Sequence, residues 1–84
     1  MELDIENRIR SDFKKDANET IKLLNLFEER NSLSPRVSRS IVFLSKGSLE
    51  VLITKIKEAE LDWRDVVFEA ETNCFEFNKP FIEK

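Results

Sequence analysis

Asp62, Asp65 and Glu69 are spaced by three and four residues, so one helix presents three carboxylates on successive turns. Such a stripe can hold a divalent cation weakly through oxygen ligands. The same residues also suit a plain helix start, because acids in a first turn favour the helix dipole and Glu69 then lies on a solvated face. This second reading is preferred, and no metal site or cofactor is expected. Other catalytic chemistry is sparse. The chain has no histidine and no tyrosine, so a Ser-His-Asp or Cys-His arrangement is impossible and Cys74 has no imidazole to activate it. A single glycine, Gly47, rules out both a P-loop and a dinucleotide-binding turn. The expectation is a protein that is not an enzyme.

Arg36, Arg39 and Ser40 are expected on the exposed side of the helix that Pro35 opens, near enough to grip a carboxylate or phosphate, with Arg30 and Lys46 extending the basic patch. They belong to a charge pattern in three parts. Residues 1–29 carry a net −3, residues 30–57 a net +5 and residues 58–84 a net −5. Self-complementation between the basic middle and its acidic flanks is preferred to an anion-binding surface. Comparison with helix-turn-helix DNA readers fails on charge, because the leading turns that would face the groove contain Leu49 and Glu50, or Trp63, Arg64 and Asp65. A nucleic-acid accessory role resting on the basic patch stays as the alternative.

The elements that must position these side chains read as helices. Ile5, Ile9 and Phe13 recur every four residues as one apolar face, which could run on through Ala17, Ile21 and Leu24 as one long helix, since no glycine or proline interrupts before Pro35; a break near Lys14 to Asp16 is preferred, because Asp16 and Glu19 have the form of a capping box. A second helix is predicted over Ala17 to Arg30, its stripe of Ile21, Leu23, Leu24, Leu26 and Phe27 broad enough to make it a central packing element. Ser34 as N-cap with Pro35 at the first helical position opens a third, running to Ser45, and its run Ile41-Val42-Phe43-Leu44 covers nearly the whole circumference, so its second half should be buried on several sides. Lys46 and Gly47 stop it, and Ser48 caps the next, whose stripe is Leu49, Leu52, Ile53, Ile56 and Ala59. Asp62 is predicted to cap the last helix. Leu61 should staple to Val66, and Trp63, Val66, Val67, Ala70 and Cys74 should share its core face with Trp63 as anchor.

Seven apolar side chains lack an obvious place. Phe43, Val51 and Phe68 lie off the main stripes of their helices, and the tail adds Phe75, Phe77, Phe81 and Ile82. Either the tail folds back over Phe43 and Phe68, or part of the set is a contact surface for a partner or a second copy.

At 84 residues the chain is one domain, read as an N-terminal helix over 1–15, a helical core over 16–74 and a tail over 75–84. One cysteine, no basic-then-apolar leader and no long apolar run lead to an expected cytoplasmic location without membrane contact. Ser34-Pro35-Arg36, Phe43-Leu44, Gly47, Leu49 and Asp62-Trp63-Arg64-Asp65-Val66 together resemble a group of short bacterial proteins of unknown function. That resemblance implies a compact helical fold and nothing catalytic. The reading is an all-α domain of four or five short helices in a compact orthogonal array with an irregular C-terminal tail. Its expected role is non-enzymatic binding of another protein or a second copy, with Arg36, Arg39, Phe43, Phe68 and Phe77 as candidate binding residues.

Overall fold

The computed structural model describes residues 1–32 and 34–73, and over these the chain is all-helical. Helix α1 (Leu3–Phe13) buries Ile5, Ile9 and Phe13, the face that the four-residue spacing predicts. A 3-10 turn over Lys14–Asp16 separates it from α2 (Ala17–Asn31). The break falls where expected, but the capping box does not form: Asp16 makes no side-chain cap bond, and the chain turns through Lys14 at φ 49°. Ion pairs four residues apart run along α1, Arg8 to Asp12 at 2.7 Å and Arg10 to Glu6 at 3.2 Å.

The third helix, α3 (Pro35–Ser45), is the central element, a place the sequence assigns to α2. Val37, Ser38, Arg39, Ser40, Ile41, Val42 and Ser45 are all buried in it. Small serines permit this enclosure because each buried hydroxyl has its own acceptor. Ser40 donates to the Arg36 carbonyl at 2.9 Å, Ser45 to the Ile41 carbonyl at 2.6 Å, and Ser38 to Glu28 Oε2 at 2.6 Å. Pro35 opens the helix as predicted, although the Ser34 side chain makes no cap bond.

Lys46 and Gly47 then reverse the chain with φ of 49° and 80°. Gly47 is required twice over, since a Cβ there would stand 2.5 Å from the Asp12 carbonyl oxygen of α1 as well as in the left-handed region. Ser48 accepts the Val51 N–H at 3.3 Å, so it caps the next helix as predicted.

That helix, α4, runs from Leu49 to Asn73 as one element broken at Asp62, where φ −157° and ψ 97° are extended. The turn expected at Leu61-Asp62-Trp63 is reduced to this single residue. Lys55 Nζ nevertheless lies 2.9 Å from Glu69 Oε1. Residues 14 apart on a straight helix are separated by ~21 Å along its axis, so the two arms of α4 bend sharply toward each other at the kink. Ile5, Ile9, Leu24, Phe27, Val37, Ile41, Val42, Leu52 and Val66 form the core that the four helices enclose. Cys74 and the tail over 75–84, Phe77 included, lie outside the described residues.

A candidate protein-binding surface

The arginines of the predicted binding patch each pair with a carboxylate of the chain, although only Arg39 is buried. Arg39 is only 8% exposed. Its Nε and a terminal guanidinium nitrogen donate to the two carboxylate oxygens of Asp4 at 2.9 and 3.0 Å, tying α3 to α1. The expected exposed side of this helix is therefore corrected for Arg39 and for the fully buried Ser40, because the first half of α3 is enclosed as well as the second. Arg36 makes a second fork, to Glu71 near the end of α4, with one arm at 2.6 Å. The hydrogen bond to Glu71, with the charge behind it, holds the Arg36 pKa above its usual value and the Glu71 carboxyl below 4.5. Arg30 reaches Glu60 at 3.3 Å. Basic middle and acidic flanks thus pair within the chain.

Two carboxylates of the predicted stripe, Asp62 and Glu69, are also engaged, while Asp65 is exposed. Asp62 Oδ1 accepts the backbone N–H of Arg64 at 3.1 Å, the cap predicted for it, and also the Arg64 Nε at 3.3 Å. Glu69 is bound to Lys55, whose pKa is raised chiefly by that hydrogen bond. Among the described residues no group of three histidine, cysteine or acidic side chains is placed to hold a metal ion.

The phenylalanines divide. Phe43 is half-buried in α3, whereas Phe68 is 73% exposed on the second arm of α4. Two residues expected inside join Phe68 outside. Leu61 is 89% exposed and makes no staple, and Trp63 is 38% exposed rather than a core anchor. The cause is the kink. With Asp62 extended, Leu61 ends one arm and Trp63 begins the next, so neither lies over the helices that bury Val66, Val67 and Ala70. Trp63, Arg64, Val67 and Phe68 then wall a shallow depression of about 270 Å³, closed on one side by the Arg36–Glu71 fork. On the other side of Trp63 a more polar hollow of about 360 Å³ runs past Asn31, Glu60 and Leu61.

The surface therefore offers an indole, a phenyl ring and an isobutyl group, rimmed by an internally neutralised Arg–Glu pair and by Arg64. Aromatic area beside an arginine is the composition that anchors protein contacts. A sequence signal for it exists: Phe68 falls off the stripe of Val66, Val67 and Ala70. No local signal foretold Leu61 and Trp63.

No family model matches the chain, no curated protein matches it, and no solved structure matches its fold. The resemblance to short bacterial proteins therefore adds nothing on function.

Proposed function

We propose that this is a small non-enzymatic protein-binding domain that works in the cytoplasm and engages a partner through the Trp63–Phe68 face of α4. The exposure of Phe68 carries this reading, with Trp63 beside it and exposed Leu61 in the hollow on the far side of Trp63. Burying a phenylalanine or leucine side chain is worth roughly 1.5–3 kcal/mol, so this face has a strong tendency to find a cover. The absence of histidine from the sequence and the engagement of Lys55, Asp62 and Glu69 in pairs and caps favour binding over catalysis. A nucleic-acid role is weaker than the sequence suggests, because Arg30, Arg36 and Arg39 are held by Glu60, Glu71 and Asp4. The same residue pairings take Arg36 and Arg39 out of the set proposed to meet the partner. Among the described residues no helix is long and apolar enough to cross a membrane.

Photo-crosslinking in the source cells tests the surface. A photoreactive amino acid at position 68 should give a discrete protein adduct that the same group at exposed Asn18 does not give. Identical adducts from both positions, or none from position 68, would remove the basis for this face.

A further inference from the structure

Helix α4 breaks at a place where its apolar pattern does not. Leu52, Ile56 and Ala59 of the first arm and Trp63, Val66 and Ala70 of the second follow one another by four, three, four, three and four residues. That is the step of one unbroken helical stripe, and it passes Asp62 without losing phase. No glycine or proline stands between Ser48 and Asn73, and Glu58, Ala59, Glu60 and Leu61 ahead of the break are strong helix formers. What opposes a straight helix is a single extended residue, Asp62, whose side chain accepts the Arg64 N–H. The kink also leaves Trp63, in the middle of the stripe, 38% exposed.

The second arm is held in place by contacts that do not depend on which copy of the chain supplies it. Val66, Val67 and Ala70 are buried in the core. Arg36 of α3 binds Glu71, and Lys55 of the first arm binds Glu69 at 2.9 Å. With Asp62 helical, Lys55 and Glu69 of one chain would stand ~21 Å apart along the axis, and the second arm would point away from its own α3. The place it leaves fits an arm of identical sequence. Core burial and both ion pairs would then re-form between two molecules, and only the hinge would differ. There the continuous helix gains backbone hydrogen bonds and gives up the Asp62 cap.

We propose that α4 straightens at Asp62 and exchanges its second arm, residues 63–73, between two copies of this chain, giving a two-fold dimer. The second arm of each copy packs on α3 of the other. Lys55 and Arg36 of one copy pair with Glu69 and Glu71 of the other. The arm must leave its place before it can be exchanged, so the dimer forms through an opened chain and is favoured by concentration. The partner is specified by the monomer's own packing, and the inference stands apart from the Trp63–Phe68 face and its partner.

Refolding from urea at about 1 mM, followed by sedimentation velocity, tests the exchange. The unaltered chain should populate a dimer, and Asp62→Ala, which removes the cap and permits a helix, should dimerise at least ~5-fold more strongly. Trp63→Pro should stay folded and monomeric, because proline suits the first position of a helix and breaks one that has to continue. Arg36→Glu and Glu71→Arg each place like charges at positions 36 and 71, within one copy and between identical copies alike. Refolded together, they should form at least ~5-fold more dimer than either alone, since only exchange sets an acid against a base at both sites. Circular dichroism checks folding, and Lys55→Glu with Glu69→Lys repeats the comparison if either protein fails that check. A monomer from both the unaltered chain and Asp62→Ala, a dimer from Trp63→Pro, or a mixture no stronger than its components would each overturn the proposal.

Discussion

Arg39 sits in a run of serines and arginines that looks exposed, yet both oxygens of Asp4 hold its guanidinium at 8% exposure. Removing it takes away both charge-assisted hydrogen bonds that tie the part-buried Asp4 carboxylate of α1 to α3. Arg39→Ala should lower the unfolding free energy by ~2 kcal/mol, less than for a fully buried pair, and urea denaturation measures it. Thr20 presents the opposite case. Its side-chain oxygen is buried without a hydrogen-bond partner among the described residues. Thr20→Val keeps the shape and removes the unsatisfied group, so it should raise stability by ~1 kcal/mol in the same assay. Residues governed by local backbone rules were readable from sequence: Gly47 stops a helix and Asp62 caps one, because both roles depend on neighbours within a few positions. Trp63 was misplaced for the complementary reason. Its hydrophobicity argued for the core, and only the position of the kink relative to the other helices puts it at the surface.

Asp62 also carries the sharpest element-level consequence. Its side chain accepts the Arg64 N–H in the first turn of the second arm of α4 while its backbone makes the bend. Asp62→Ala should cost ~1 kcal/mol and speed amide hydrogen exchange selectively in residues 63–73, with α1 and α3 little changed. Gly47→Ala should act at the other end of α4. It places a Cβ 2.5 Å from the Asp12 carbonyl oxygen and forces a side chain into φ 80°. A loss above ~1 kcal/mol is expected from the backbone alone. Helix boundaries were legible from apolar spacing and punctuation, including the break at Lys14–Asp16. The burial of the second half of α3 was legible in the run Ile41-Val42-Phe43-Leu44; that of its first half was not, because Ser38 and Ser40 read as polar surface until their hydroxyls are matched with Glu28 and Arg36.

The whole molecule is compact, with a radius of gyration of 11.4 Å, close to the ~12 Å of a folded chain of this length. Its helices are cross-linked by opposite charges: α1 to α3, α2 to α4 and α3 to α4. The alternation of acidic, basic and acidic segments announced this pairing, although not which carboxylate each arginine takes. The pairing implies a sign for the pH dependence. Glu71 has its pKa lowered below 4.5, so its contribution is present above that value and is lost as pH falls through the lowered one. Lys55, raised above 10.5, contributes below that value and loses the contribution as pH rises through the raised one. Thermal unfolding should therefore show midpoints declining on the acid side below about pH 4.5 and on the alkaline side above about pH 10.5. Glu71→Gln should flatten the acid limb.

The account depends most on Phe68 being surface offered to a partner rather than core. Urea unfolding of Phe68→Ser decides this directly. An unfolding free energy within ~0.5 kcal/mol of the unaltered protein is the predicted result, as for an exposed position away from caps and pairs. A loss of ~3 kcal/mol or more, the size expected for a buried aromatic cut down to a small side chain, would make Phe68 part of the core and contradict the proposed surface.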